Sequence, residues 1–152
     1  MPEIYASRVI PASIDEVWET LRDFEYSADF PYVDDIHIED GEPPDKVGCV
    51  RNASLTEEAV AENPFVTADD RFRETLLALD DINHGYRYEF TEVSYPVSNY
   101  TGHLRFTSET ANDRVLAEWS ATFDVPDQYA EEVVEQQTAL FEAGLEYYEG
   151  LF

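Results

Sequence analysis

The hydrophobic period of this chain changes at Pro126, from two residues to about 3.6 residues. Before that point, four stretches alternate apolar and polar side chains: residues 72–79, 86–95, 99–108 and 115–125. The alternation predicts four consecutive antiparallel strands, each with one apolar face. Beyond Pro126, the spacing predicts an amphipathic helix of about six turns. A curved antiparallel sheet cannot close its concave face alone, so we expect this helix to lie across the sheet above a cavity.

One glycine interrupts the apolar face of the predicted last helix. That face consists of Tyr129, Val133, Gln137, Leu140, Phe141, Gly144, Leu145, Tyr148 and Phe152. A glycine in a helix interior is less favourable than alanine by about 1 kcal/mol. We therefore expect Gly144 to lie where the helix approaches the sheet closely or must leave room.

The front half of the chain is less regular. Ser13 and Glu16 form a capping-box pattern, followed by helical spacing of Ile14, Val17, Trp18, Leu21 and Phe24. The remaining patterns predict strands at residues 4–11, 34–39 and 47–55, and a short aromatic helix or turn at residues 26–32. Residues 56–70 are acidic and predict a solvated loop, with a short helix at residues 57–61 or a mobile flap over a pocket as alternatives.

Two opposite charges stand in apolar rows of neighbouring predicted strands. One row contains Cys49, Arg51, Ala53 and Leu55, and the other contains Phe72, Glu74, Leu76 and Ala78. If both rows face inward, each charge would be costly to bury alone, so we expect Arg51 and Glu74 to pair. Because a buried ion pair adds little stability, the pair indicates a polar anchor inside a pocket. A purely structural pair is the alternative.

The charge of the chain excludes several classes of partner. It has 34 acidic and 9 basic residues, a net charge of −25. Such a surface repels phosphate groups, which argues against nucleic acid or an anionic membrane as a partner. Lys46 is the only lysine. An acidic, lysine-poor protein fits a cytosol of very high salt, where screening removes self-repulsion, so we predict a halophilic source.

Several further features are missing from the sequence. No apolar stretch is long enough to span a membrane and no signal-peptide pattern precedes the first strand, so we expect a cytoplasmic location. The length predicts a single domain over residues 1–152. The single cysteine excludes an internal disulfide. Neither metal-ligand spacing nor a phosphate-binding loop is present, so we expect no metal and no other cofactor.

Five segments carry a resemblance to one protein family: G-C-V-R, R-E-T-L-L-A-L-D, Y-P-V-S-N-Y, A-E-W-S-A-T-F-D and F-E-A-G-L-E. With the order of elements, they resemble the polyketide cyclase/dehydrase branch of the SRPBCC (START-like, Bet v 1-like) superfamily. The resemblance implies an α+β helix-grip fold, a curved antiparallel sheet wrapped around a long C-terminal helix. It also implies a hydrophobic small-molecule ligand in the cavity under that helix. Members of the family carry such ligands, or isomerise, cyclise or dehydrate them.

The resemblance also bears on the charged pair. In the plant lachrymatory-factor synthases of this branch, an Arg in G-C-V-R and a Glu in the next strand are implicated in proton transfer. Arg51 and Glu74 match those positions, but Thr75 follows the glutamate where those enzymes have Arg. The resemblance therefore supports the pocket pair more than that particular reaction.

The candidate cavity walls are aromatic: Tyr88, Tyr100, Trp119, Phe141 and Tyr148. Plain core packing is the alternative for all of them. Tyr100 is the best polar candidate, because a buried hydroxyl needs a hydrogen-bond partner.

Three functions fit these observations. The first is a carrier or sensor of a hydrophobic small molecule, lipid transport included. The second is a cofactor-independent cyclase, dehydratase or isomerase, with Glu74 as general acid/base and Arg51 as the anchor of an oxyanion or the group that sets the carboxylate's protonation. The third is a protein-interaction module, such as an assembly chaperone, that uses the last helix and the flap. The sequence leaves the ligand and the oligomeric state open.

Overall fold

The computed structural model describes residues 2–25, 29–109 and 111–152. Its strands are β1 (Glu3–Ile10), β2 (Val33–Ile38), β3 (Val50–Leu55), β4 (Phe72–Asp80), β5 (Gly85–Glu92), β6 (Ser98–Glu109) and β7 (Arg114–Asp124). Its α-helices are α1 (Ile14–Leu21), α2 (Glu57–Glu62) and α3 (Asp127–Gly150). A 3-10 turn, Glu39–Gly41, follows β2. The predicted aromatic turn at residues 26–32 lies partly outside the described residues.

The strands form one antiparallel sheet in the order β1-β7-β6-β5-β4-β3-β2. In β6 and β7 the alternation is regular, with every second side chain buried on the inner face. The helix α3 lies across that face and packs against β1 and β7. The predicted architecture, a curved sheet around a long C-terminal helix, is confirmed.

A bulge breaks the alternation in β4. Its pairing with β5 shifts register between Leu76 and Ala78. Ala78 is therefore exposed, whereas Leu79 packs against the core. The prediction that Ala78 continues the inner row is wrong, because the extra residue turns the following side chains to the other face. A second register shift lies between Arg73 and Glu74, and Glu74 keeps its inward position.

The predicted cap of the first helix is present in modified form. Ser13 Oγ accepts a hydrogen bond from the backbone N–H of Glu16 at 3.3 Å. The Glu16 carboxylate accepts from the Ser13 hydroxyl at 3.2 Å. The helix α1 ends at Leu21, but Phe24 is still fully buried beyond it. The apolar spacing therefore identified core residues correctly and placed the helix end too late.

The segment at residues 56–70 is folded against the rest of the protein. The short helix α2 begins after Thr56, whose Oγ1 accepts from the backbone N–H of Ala59 at 3.2 Å. Val66 is buried. The Phe65 ring makes edge contacts with Tyr95 and Tyr129 at centroid distances of 5.8 and 5.1 Å. The alternative prediction, a short helix at residues 57–61, is present as α2. The solvated-loop prediction is wrong, because Val60, Phe65 and Val66 pack against the core and anchor the segment.

Gly144 lies where α3 approaches the sheet closely, as its place in the helix predicts. A Cβ atom there would lie 2.7 Å from Trp119 on β7 and 2.7 Å from Phe30. No side chain fits without moving those two rings. The predicted apolar face does not extend to Phe152, because α3 ends at Gly150 and Phe152 is 38% exposed.

Candidate functional site

Arg51 and Glu74 face each other across two neighbouring strands. They are direct partners in the β3–β4 register, and both side chains point inward. Arg51 Nε donates to Glu74 Oε1 at 2.9 Å, and Nη2 donates to Oε2 at 3.4 Å. Arg51 is 1% exposed and Glu74 is 7% exposed. The structure therefore brings together the two charges that the sequence pattern singled out.

The Arg51 guanidinium is held on its other sides as well. Nη1 donates to the backbone carbonyl of Phe24 at 3.1 Å and to the Tyr86 hydroxyl at 3.4 Å. Its Cζ lies 4.0 Å from the centroid of the Phe24 ring and 4.7 Å from that of Tyr88, which are cation–π distances. These contacts make Arg51 a fixed cation that orients the Glu74 carboxylate.

A cavity of about 240 Å³ lies between the sheet, α2 and α3. Nine of its lining residues are aromatic: Phe30, Tyr32, Phe72, Tyr88, Phe90, Tyr95, Tyr100, Trp119 and Phe141. Its polar side chains are Arg51, Glu62, Asn63, Glu74, Gln136 and Gln137. Tyr32, Glu62 and Ala139 line it and are exposed, so the mouth lies between α2 and the middle of α3.

Four of the five predicted wall residues line this cavity: Tyr88, Tyr100, Trp119 and Phe141. Tyr148 does not. It is buried against Phe30 and Trp119, at centroid distances of 5.5 and 6.3 Å. Tyr148 lies about 10 Å along the helix axis from Phe141, at about 1.5 Å per residue, beyond the end of the cavity. Its assignment as a wall residue is wrong.

Tyr88 lies flat over a glycine of the next strand. Its hydroxyl accepts a hydrogen bond from Trp119 Nε1 at 2.9 Å. Gly102 is its direct partner in β6, and a Cβ atom there would lie 2.2 Å from Tyr88 Cζ. The ring can occupy this place only because residue 102 has no side chain. Burial raises the pKa of the Tyr88 hydroxyl well above its ordinary value, so it is a neutral hydrogen-bonding group.

Tyr100 has the hydrogen-bond partner that a buried hydroxyl requires. It donates to Gln137 Oε1 on α3 at 2.8 Å. Its ring is stacked between Phe90 and Phe123, at centroid distances of 4.0 and 5.5 Å. Burial, and next the negative charge of Glu74, raise the pKa of Tyr100 well above its ordinary value. The bond to Gln137 thus ties the sheet to the helix across the cavity.

A family relationship covers almost the whole chain. Residues 1–147 match the model of a family described as polyketide cyclase/dehydrase and lipid transport. The chain belongs to this family. No curated protein is similar enough to the chain to match it.

Solved structures similar to this family member share its fold. XoxI from Bacillus cereus has a TM-score of 0.80 and 23% identity, over 100% of this chain and 96% of its own. A protein from Nitrosospira multiformis has a TM-score of 0.79 and 23% identity, over 99% and 96%. Norcoclaurine synthase from Thalictrum flavum, solved with dopamine and hydroxybenzaldehyde, has a TM-score of 0.74 and 17% identity, over 99% and 85%. These likenesses show the Bet v 1-like helix-grip fold, which the resemblance of the sequence implied.

Several polar residues of this family member's cavity were missed by the sequence reasoning, Glu62 and Asn63 among them. Gln136 and Gln137 line the cavity from α3, and Tyr95 lines it from the segment after β5. Tyr95 donates to Gln136 Oε1 at 2.5 Å, and burial raises the pKa of Tyr95 to about 12. One signal was available in the sequence. Gln137 occupies an apolar-face position of the helix, where a buried amide indicates a specific partner.

Within residues 2–25, 29–109 and 111–152, no three His, Cys, Asp or Glu side chains are grouped so that they could hold a metal ion. None of the helices described there combines the length and the apolar character needed to cross a bilayer. Cys49 is buried, and its burial raises the pKa of the thiol, which disfavours a reactive thiolate.

Proposed function

We propose that this protein binds a hydrophobic small molecule in the cavity under α3, as a carrier or sensor. The observation that carries the proposal is the cavity itself, whose wall is aromatic and whose mouth opens beside α2. A well-packed domain of this size leaves few voids larger than a water molecule, so a lined space of about 240 Å³ indicates an occupant.

The volume restricts the size of that occupant. A dry apolar cavity of about 150 Å³ in another protein accepts benzene. A cavity of about 240 Å³ therefore suits a molecule of one or two fused rings better than a long-chain lipid. Small movements of α2 would enlarge it, since α2 forms one side of the mouth.

Two alanines of α2 provide a matched test of this proposal. Ala59 lines the cavity, whereas Ala61 is exposed and does not. We expect Ala59→Phe to weaken the binding of 2-naphthol at least about tenfold, because the ring occupies the space of the ligand. Ala61→Phe makes the same change at an exposed residue of α2 that does not line the cavity, and it should leave the affinity for 2-naphthol unchanged. Isothermal titration calorimetry measures both. Equal affinities for the two variants would place the binding site elsewhere.

A second candidate function is cofactor-independent proton transfer at Glu74. It is favoured by one observation: a buried carboxylate lines an apolar cavity and is held in place by a fixed cation. A carboxylate in such a position is suited to remove a proton from carbon next to a carbonyl and to return it elsewhere. Arg51 would then hold the orientation of the carboxylate.

Deuterium exchange separates the carrier from the enzyme. If Glu74 transfers protons, the protein should accelerate exchange at the acidic methylene of 2-tetralone in heavy water, followed by NMR. Glu74→Gln should reduce the acceleration by about 10²–10⁴, the usual contribution of a general acid or base. Glu62→Gln, at the exposed mouth, is the control and should retain the full rate. If 2-tetralone binds and no exchange is accelerated, the carrier function stands alone.

A further inference from the structure

We infer that the cavity selects neutral, planar aromatic molecules that carry a hydrogen-bond donor, of the phenol class, and that it rejects carboxylates. The inference rests on the proposed binding function and specifies its ligand. Three observations lead to it: how Arg51 is engaged, which acceptor the cavity presents, and how the aromatic walls are arranged.

The charge of the cavity opposes an anionic ligand. Arg51 is the one basic side chain among the described residues that line it. Its guanidinium already donates to Glu74, to the Phe24 carbonyl and to the Tyr86 hydroxyl. A carboxylate ligand would have to displace Glu74, leaving a buried charge without its partner. Glu62 at the mouth and the net charge of −25 repel the same ligand before it enters.

The Glu74 carboxylate is the acceptor that the cavity presents to a neutral ligand. A carboxylate accepts several hydrogen bonds, and Arg51 is bound to it from one side. The neighbouring polar groups have partners within the protein: the Tyr100 hydroxyl donates to Gln137, and Trp119 donates to Tyr88. A ligand hydroxyl or N–H that reaches Glu74 therefore gains a charge-assisted hydrogen bond.

The aromatic walls favour a flat molecule. Trp119 and Phe141 are stacked with centroids 4.3 Å apart and planes within 9°. Phe90 and Tyr100 form a second stack, at 4.0 Å and 9°. A ring whose faces are covered by stacking can contact a ligand only through its edge, and the flat face of an aromatic ligand packs against such edges in the T-shaped arrangement that aromatic pairs favour.

Four probes of similar size and different polar groups test this inference: naphthalene, 2-naphthol, 2-methoxynaphthalene and 2-naphthoate. We expect 2-naphthol to bind about tenfold more tightly than 2-methoxynaphthalene, because only 2-naphthol donates a hydrogen bond. We expect 2-naphthoate not to bind at concentrations that saturate with 2-naphthol. Calorimetry at one salt concentration gives all four affinities.

Removal of the negative charge should weaken the preference. In Glu74→Gln, the advantage of 2-naphthol over its methyl ether should shrink, because a neutral amide oxygen accepts a weaker hydrogen bond than a carboxylate, and 2-naphthoate should bind because Arg51 has lost its counter-charge. Glu58→Gln, the same change at an exposed residue of α2 that does not line the cavity, should retain the preference of the wild-type protein. Near-ultraviolet circular dichroism verifies that both variants are folded. The wild-type series tests the inference by itself if Glu74→Gln does not fold.

The outcomes distinguish this inference from the function on which it rests. If 2-naphthoate binds to the wild-type protein as tightly as naphthalene does, the inferred ligand class is wrong and the proposed binding function stands. If a folded Glu74→Gln variant still rejects 2-naphthoate, or if Glu58→Gln alone accepts it, the Arg51–Glu74 pair is not the origin of the selectivity. If none of the four probes binds, both the inference and the proposed function fail.

Discussion

Replacement of Arg51 by methionine is expected to lower the free energy of unfolding by about 3–5 kcal/mol, the usual cost of leaving one partner of a buried ion pair uncompensated. Arg51 is 1% exposed, and its removal leaves the Glu74 carboxylate buried in an aromatic cavity. The Phe24 carbonyl loses its hydrogen bond from Nη1 as well. Urea denaturation at constant salt measures the change.

Two further variants separate this effect from a general loss of arginine. Arg73 forms a shorter ion pair with Glu39, at 2.7 Å, but both side chains are partly exposed. We expect Arg73→Met to cost no more than about 1 kcal/mol. The double variant Arg51→Met with Glu74→Leu should recover most of the stability, because apolar residues replace buried pairs without loss in other proteins. If Arg51→Met is as stable as the wild-type protein, the pair is not energetically coupled to the fold.

The second large effect is expected from salt. The chain carries 34 acidic and 9 basic residues, so most of its carboxylates have no cation to pair with. Two like charges about 10 Å apart repel by about 0.4 kcal/mol in water. Raising the ionic strength from about 0.1 M to about 1 M shortens the Debye length from about 10 Å to about 3 Å and removes most of this repulsion.

Summed over many pairs, this screening should raise Tm by more than about 10 °C, since about 1 kcal/mol shifts Tm by about 2–4 °C at this size. Calorimetry across a potassium chloride series measures the rise. A variant with Glu131, Glu132 and Glu135 changed to glutamine removes three exposed charges from α3 and should gain stability at low salt only. A Tm that does not depend on salt would contradict the prediction of a halophilic protein.

The fold and the charged pair could be predicted because each depends on local periodicity. Alternation with a period of two assigns every side chain of a strand to one face, so Arg51 and Glu74 fall in the apolar rows of their strands and are expected to pair if those rows face inward. The change of hydrophobic period at Pro126 shows where the last strand of the sheet ends and the covering helix begins. The close packing at Gly144 could be predicted because a glycine in a helix interior is unfavourable, so its presence indicates a place where a side chain would not fit.

The errors arose where the position of a residue depends on a neighbouring element. The bulge that exposes Ala78 is a property of the pairing of two strands, and neither strand shows it alone. The partial burial of Phe65 depends on Tyr95 and Tyr129, which are distant in sequence. Whether Tyr148 reaches the cavity depends on where the cavity ends along α3. No periodic pattern carries that information.

The place of Trp119 gives the protein a built-in optical reporter. Of the two tryptophans in the chain, Trp119 lines the cavity, whereas Trp18 donates its indole N–H to Asp81 at 2.8 Å, away from it. The indole emission of Trp119 therefore responds to whatever enters the cavity, and the emission of Trp18 supplies a constant background. Occupancy can be followed without attaching a dye.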